Sequence, residues 1–157
     1  MKNITVWILL TSFLLSGCVT PPKTTLTPLE IQALQTRTYE HNKDIAFPSV
    51  MSVFQDLGYT VNSADKDTGL ITAESATASD AASKFWLGVT DVSQTRATAF
   101  IEQIGSNSSI RLNFVATSKK STAYGRTDRQ DTPILDATVY QNAFERIETA
   151  IFMRSSN

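Results

Sequence analysis

The sequence predicts an α+β domain, a two-layer sandwich in which an antiparallel sheet of four to five strands carries two helices on one face. Two observations predict it. Runs of β-prone residues occur in adjacent pairs separated by turn residues, which is typical of antiparallel hairpins. Two segments with helical apolar spacing interrupt these pairs, one before the first hairpin and one at the end of the chain. Hairpins interrupted by helices indicate helices gathered on one face of a single sheet.

The chain begins with a segment typical of an export signal. Lys2 is the only charged residue among the first 22, and an apolar run over residues 4–15 follows it. This run is shorter than the roughly 20 residues that a membrane-spanning helix needs, and it has the length of a signal-peptide apolar region. We expect residues 1–17 to be a signal peptide that is removed.

The signal segment ends in Leu15-Ser16-Gly17-Cys18, which resembles the lipobox of bacterial lipoprotein precursors. In that motif the cysteine is lipidated and becomes the N-terminus after cleavage. The alternative is a free or disulfide-forming cysteine after an ordinary signal, but the chain holds no second cysteine. Each buried CH₂ contributes about 0.8 kcal/mol, so several acyl chains such as palmitate would anchor Cys18 to a membrane. Val19 follows where an Asp would suggest inner-membrane retention. The resemblance therefore implies the periplasmic face of the outer membrane.

Composition narrows the function classes. The chain has 14 Lys and Arg, and loss of Lys2 with the signal leaves 13 against 15 Asp and Glu, a net charge of −2. That balance argues against an electrostatic hold on nucleic acid or anionic lipid. Removal of residues 1–17 leaves 140 of the 157 residues, which is the usual size of one domain.

Residues 18–29 are predicted to be the lipidated cysteine and a flexible tether, since residues 19–29 hold three prolines and four threonines without apolar spacing. A single periplasmic domain is then expected over residues 30–157. Its first part is ambiguous, because residues 30–35 could form one helical turn or two. Residues 36–40 have the alternation of a first strand.

The first helix is predicted over residues 47–57. Its apolar side chains share one side of a helical wheel and would face the core: Ala46, Phe47, Val50, Val53, Phe54 and Leu57. Pro48 is placed in the first turn, where proline is tolerated, and Gly58 follows as a stop.

A first hairpin is predicted from residues 59–63 and 70–74 around the turn at residues 65–69. The alternating Asp65 and Asp67 of this turn suggest calcium ligands. The spacing nevertheless departs from an EF-hand loop at the fifth, sixth and twelfth positions, where Gly69, Leu70 and Ala76 stand. A turn in which Gly69 supplies a positive φ is the favoured interpretation.

A second hairpin is predicted from residues 94–104 and 110–118, with the turn at residues 105–109. In its second strand one set of side chains would be buried and the alternate set wetter. The buried set is Ile110, Leu112, Phe114 and Ala116; the wetter set is Arg111, Asn113 and Thr117.

Two segments are left as connections. Residues 78–92 contain consecutive Phe85, Trp86 and Leu87, which one helix face cannot bury together. Either this crossover packs an aromatic ring over the sheet edge, or the three side chains contact a partner protein or the membrane interface. Residues 122–132 are polar and predicted to be a mobile loop.

The chain is predicted to end in a helix over residues 136–153. Its core-facing side chains fall on one arc: Val139, Tyr140, Ala143, Phe144, Ile147, Ala150 and Ile151.

Catalytic and metal-ligating groups are few. His41 is the only histidine, and its polar neighbours indicate an exposed turn in preference to a general base or metal ligand. Phosphate-binding glycine loops, zinc-protease motifs and nucleophile elbows are absent from the sequence. We therefore expect no enzyme activity, catalytic residue, metal or cofactor.

Three stretches resemble small bacterial outer-membrane lipoproteins of uncharacterised function, and are similar to the helix-grip domains of BamC, a lipoprotein subunit of the β-barrel assembly machinery. They are Thr-Arg-Thr-Tyr-Glu at 36–40, Val-Phe-Gln-Asp-Leu-Gly-Tyr-Thr-Val at 53–61 and Ala-Asp-Lys-Asp-Thr-Gly-Leu-Ile-Thr-Ala at 64–73. The resemblance implies one helix-grip-like domain, a helix–strand–hairpin order and no catalytic residue.

These expectations predict a non-catalytic adaptor or structural subunit of an envelope complex, anchored by lipid to the outer membrane. Its docking surface would be a sheet face, an edge strand or the crossover at residues 78–92. The alternative is a binding protein for a small apolar ligand or lipid, held between the C-terminal helix and the sheet. Nucleic acid is not an expected partner.

Overall fold

A computed structural model describes residues 26–75, 94–121 and 127–156. The predicted signal peptide, Cys18 and the crossover at residues 78–92 lie outside these residues. The elements follow in the order α1 (Pro28–Gln35), β1 (Thr36–Tyr39), α2 (Lys43–Asp56), β2 (Tyr59–Asp65), β3 (Leu70–Ser75), β4 (Gln94–Ile104), β5 (Asn107–Ser121), β6 (Thr127–Pro133) and α3 (Ala137–Ser155).

The strands form one antiparallel sheet in the order β2-β3-β4-β5, and both β1 and β6 pair with the outer side of β5. β1 covers the start of β5, with Thr36 opposite Arg111. β6 covers its second half, with Pro133 opposite Val115. The α+β prediction is confirmed, although the described sheet has six strands instead of four to five.

The extra strand is β6, which lies largely within the segment predicted to be a mobile loop at residues 122–132. That prediction is wrong for residues 127–132, because β6 is paired with β5 along its length. An edge strand needs only backbone hydrogen bonds to its neighbour, so a polar sequence without apolar alternation forms it.

Both long helices lie on the same face of the sheet, as predicted. Phe54 of α2 and Tyr140 of α3 each contact the ring of Phe114 on β5, with ring centroids 6.4 Å and 5.3 Å away. Arg154 of α3 also donates a hydrogen bond from Nε to the buried Ser49 Oγ of α2, at 3.3 Å. Two helices and one sheet therefore enclose a single core.

A third helix, α1, precedes β1. The side chain of Thr27 accepts from the backbone of Glu30, and the Glu30 carboxylate accepts from the Thr27 backbone N–H, which is a capping box. This helix begins at Pro28, so it starts inside the segment predicted to be the tether at residues 18–29.

α2 begins four residues earlier than predicted, because Asn42 caps it by accepting a hydrogen bond from the Ile45 N–H. Pro48 consequently lies in the second turn of α2 and not in the first. At the other end Leu57 caps the helix and Gly58 has φ +79°, which confirms the predicted stop.

The core lies between the sheet and the two long helices. Ala73 on β3 and Ala97 and Ala99 on β4 are fully buried, and their small side chains leave room for the larger residues of the helices. The largest of the fully buried residues include Phe54, Phe114, Tyr140, Phe144, Ile147 and Ile151. On β5 the predicted burial of Ile110, Leu112 and Phe114 is confirmed. Beyond Phe114 buried and exposed side chains no longer alternate as predicted. Thr117 is buried instead of wet, and its Oγ1 donates to Asp131 Oδ1 on β6 at 2.7 Å.

The first hairpin turn uses Asp65 for its own structure. The Asp65 carboxylate accepts hydrogen bonds from the backbone N–H groups of Asp67 and Thr68. Hydrogen bonding from Thr68, and to a smaller extent from Asp67, lowers the pKa of Asp65. Gly69 has φ +79° as predicted. The interpretation of this segment as a hairpin turn is confirmed.

Candidate interaction surfaces

The face of the sheet opposite α2 and α3, here called the open face, is built by side-chain alternation. On β4, Ala97, Ala99 and Ile101 point toward the helices and are fully buried. The alternate residues of the same strand therefore point to the open face, and Phe100 is one of them.

Three apolar side chains are exposed at one end of the open face, and we call them the apolar patch: Leu70, Phe100 and Ile104, with exposed fractions of 41%, 42% and 53%. Leu70 lies directly opposite Phe100 across the β3–β4 pair. Arg111 lies opposite Phe100 on the other side, across the β4–β5 pair. An aromatic ring flanked by an aliphatic side chain and an arginine has the composition of protein–protein contact centres.

The other end of the open face is polar and internally bonded. Arg96 Nε lies 3.2 Å from Glu74 Oε1, and Gln94 Nε2 donates to Glu74 Oε2 at 3.1 Å. This half-exposed cluster satisfies its own charges. Among the described residues, the large exposed apolar side chains of the open face lie at the other end, in the apolar patch.

Sequence reasoning missed the apolar patch. The alternation of side chains along β4 reveals it. Ala97, Ala99 and Ile101 point into the core, so Phe100 and Ile104, which are odd-spaced from them, point to the opposite, exposed face. A large apolar side chain on the solvent-exposed face of an amphipathic strand indicates an interaction surface.

A second surface is a groove of about 550 Å³ between the end of β1 and the last turns of α3. It is lined by residues 38–41 and by Glu148, Thr149, Ile151 and Phe152. Tyr39 and Ile151 are buried, whereas Phe152 is 68% exposed. We call this surface the β1–α3 groove.

Tyr39 fixes one side of the β1–α3 groove. Its hydroxyl donates to the carbonyl oxygen of Phe144 at 3.1 Å, and burial raises the pKa of Tyr39 from 10.0 to about 12. Beside it, His41 is half-buried and lines the groove, in contrast to the exposed turn that was predicted.

The space between the middle of α3 and the sheet is filled by side chains. Tyr140, Phe144 and Ile147 are at most 2% exposed. The Tyr140 hydroxyl accepts hydrogen bonds from the Phe114 N–H at 3.4 Å and from Gln35 Nε2 at 3.3 Å. A ligand beside α3 therefore finds room at the β1–α3 groove and not beneath the centre of the helix.

Within residues 26–75, 94–121 and 127–156, no group of three or more His, Cys, Asp or Glu side chains is placed to hold a metal ion. Over the same ranges no helix has the length and apolarity needed to cross a membrane. Cys18 and the predicted contact residues Phe85, Trp86 and Leu87 lie outside the described residues.

No protein-family model matches the chain, and no curated protein matches it.

Proposed function

We propose that this protein is an outer-membrane lipoprotein on the periplasmic side, acting as a non-catalytic adaptor or structural subunit of an envelope complex. Cys18 would hold it to the membrane through acyl chains, and the apolar patch would hold the partner. The observation that carries the proposal is the exposure of Leu70, Phe100 and Ile104 on the open face.

The apolar patch is suited to a protein partner. Isolated exposed apolar residues are ordinary on a protein surface, but Phe100 and Leu70 lie directly opposite each other and form a continuous area. Both stand on strands inside the sheet, so the backbone beneath them is held on two sides. A partner that covers them loses little conformational entropy in this chain.

The distance from the membrane supports the same proposal. Nine residues, 19–27, separate Cys18 from α1, and a fully extended chain of that length spans about 30 Å. A domain on so short a tether stays near the headgroups. It therefore meets the periplasmic parts of membrane-embedded complexes at high local concentration.

A photo-cross-linking amino acid placed at residue 100 tests the proposal in intact cells. The matched control places it at residue 152, because Phe152 is also exposed but lies on α3, in the β1–α3 groove. The proposal predicts one distinct adduct with another envelope protein from position 100 and not from position 152. An adduct of two copies of this chain at position 100 would replace the adaptor proposal with homo-oligomerisation.

A second candidate function is binding of a small apolar ligand beside the C-terminal helix. The β1–α3 groove favours it, because the exposed ring of Phe152 lines the groove and its volume is typical of small-molecule sites. This function does not need the apolar patch, so the two candidates are tested separately.

A further inference from the structure

We propose that α1 is a conformational switch in the tether: a short helix that unwinds while the rest of the domain stays folded, and so lengthens the chain between Cys18 and the sheet. The proposal rests on the lipid anchor of the proposed function and concerns the reach of the anchored domain. It is independent of ligand binding at the β1–α3 groove.

The helix α1 adds no buried residue to the core. Five of its eight residues are exposed, among them Leu29 with an exposed fraction of 75%, and the other three are half-buried. A groove of about 270 Å³ lies between α1 and Arg111 of β5. Because α1 removes so little apolar surface from water, hydrophobic burial contributes little to holding it on the sheet.

The attachments of α1 are concentrated in its last turn. Gln35 Nε2 donates a hydrogen bond to the Tyr140 hydroxyl at 3.3 Å and lies 3.5 Å from Asn113 Oδ1. Leu34 is half-buried and packs against the core. At eight residues α1 is shorter than the roughly 12 residues that an isolated helix needs to be even marginally stable in water. Loss of the contacts at Leu34 and Gln35 therefore unwinds the helix.

The strand β1 sets the limit of the opening. Thr36 pairs with Arg111 of β5, and at the other end of β1 the Tyr39 hydroxyl donates to the Phe144 carbonyl oxygen at 3.1 Å. Tyr39 is buried, so β1 leaves the sheet only when the core opens. The chain up to Gln35 can consequently open by itself.

Unwinding of α1 changes the distance that the domain can reach from the membrane. With α1 formed, nine residues, 19–27, connect Cys18 to the helix and span about 30 Å when fully extended. With α1 unwound, the connection is 17 residues, 19–35, and spans about 56 Å. The same anchored domain then reaches partners near the headgroups in one state and partners nearly twice as far away in the other.

Hydrogen exchange of the purified, exported protein tests whether α1 opens by itself. Residues 31–35 carry the amide groups that α1 protects, and residues 143–151 of α3 are the reference within the core. We expect the α1 amides to exchange at least about a hundredfold faster than the α3 amides, because a local opening costs far less than global unfolding. Equal rates in the two helices would show that α1 opens only with the whole domain, and would overturn the proposal.

A set of variants connects the exchange to the helix. Glu30 caps α1 by accepting a hydrogen bond from the Thr27 N–H at 2.7 Å. Glu30→Ala should speed exchange of residues 31–35 about threefold to fivefold, whereas Glu30→Gln keeps the acceptor and should stay near the wild-type rate. Glu102→Ala removes an exposed carboxylate from β4 and is the matched control. Equal rates in Glu30→Ala and Glu102→Ala would overturn the proposal, since the exchange would then not report the helix.

The change in reach is measured on the protein anchored in vesicles of phosphatidylethanolamine and phosphatidylglycerol. A fluorophore attached to Phe152→Cys, at an exposed position, reports energy transfer to labelled headgroups, because lipidation uses the thiol of Cys18. Adding Gln32→Pro, which breaks α1, should increase the mean separation by about 6 Å, the difference between flexible chains of nine and 17 residues. Slow exchange in α3 verifies that this variant is folded.

The vesicle experiment separates the switch from the anchor. An unchanged separation in Gln32→Pro would overturn the switch while the lipid anchor stands. Failure of the wild-type protein to remain with the vesicles would overturn the lipid anchor of the proposed function, and with it the role of α1 in setting the reach.

Discussion

The hydroxyl of Tyr140 accepts a hydrogen bond from the backbone N–H of Phe114, with the nitrogen and oxygen 3.4 Å apart. The bond closes a gap in the sheet. β1 pairs with β5 as far as Arg111, and β6 begins to pair at Val115, so the backbone between them lacks a strand partner on that side. A side chain from α3 supplies the acceptor, which joins the helix layer to the sheet edge.

We expect Tyr140→Phe to lower the free energy of unfolding by about 1–3 kcal/mol, because it leaves the buried Phe114 N–H without an acceptor. Tyr59→Phe is the matched control. The buried Tyr59 hydroxyl has no hydrogen-bond partner among the residues that the structure describes, and burial raises its pKa. Its removal should leave stability unchanged or slightly increased. Urea unfolding of both variants measures the difference, and equal losses would contradict this account of the gap.

Two glycines with the same backbone conformation should differ in their tolerance of alanine. Gly58 and Gly69 both have φ +79°, but a Cβ on Gly58 meets open space whereas one on Gly69 collides with the Ile101 carbonyl oxygen. Gly58→Ala should cost about 1 kcal/mol from the positive φ alone. Gly69→Ala should cost at least 2 kcal/mol more, as overpacking does. Thermal unfolding of the two variants tests the ranking, which a similar cost for both would refute.

Stability should fall in alkaline solution. The pKa of Tyr39 is raised from 10.0 to about 12, so the folded protein holds a proton that the unfolded chain loses above pH 10. The stabilisation is complete below pH 10 and is lost as the pH rises through 12. Urea unfolding between pH 9 and 11 should show this decline, and Tyr39→Phe should make it shallower without abolishing it. Burial also raises the pKa of Tyr59 and Tyr140, which accounts for the remaining slope. An unchanged slope in the variant would refute the role of Tyr39.

Lipidation at Cys18 gives a yes-or-no prediction. Cells grown with an alkyne analogue of palmitate should label the wild-type chain, and Cys18→Ala should abolish the label because the chain has no other cysteine. The same variant should be lost from the outer-membrane fraction as an anchored protein, since the acyl chains supply the anchoring energy. Labelled protein in the Cys18→Ala variant would disprove the lipobox interpretation.

Strong periodicity explains which elements the sequence predicts well. The sequence predicts α3 and the two hairpins close to their observed bounds. α3, β3 and β4 each bury one face in the core, whereas β2 buries only Tyr59. The sequence does not predict β6, and it leaves α1 open as one helical turn or two at residues 30–35, since neither element has a continuous apolar face to bury. β6 depends on backbone pairing, and α1 on its capping box.

The two candidate surfaces differ in how far the sequence reveals them. The apolar patch is visible in the phase of β4, where Phe100 breaks the alternation that Ala99 and Ile101 define. The β1–α3 groove joins His41 to Phe152, which are more than one hundred residues apart in the sequence. Only the folded chain brings these residues together, so the spacing of residues in the sequence does not predict the β1–α3 groove.

The most direct test of the adaptor proposal compares Phe100→Ser with Phe152→Ser in the full-length, membrane-anchored protein. Both changes remove an exposed ring, so both variants should keep the wild-type melting temperature. The measurement is the amount of partner that co-purifies with each variant, where the partner is the envelope protein that cross-links to residue 100. The account predicts at least a tenfold loss of that partner in Phe100→Ser and none in Phe152→Ser, as expected for an anchor worth more than about 1.4 kcal/mol. Full retention of the partner in Phe100→Ser would contradict it.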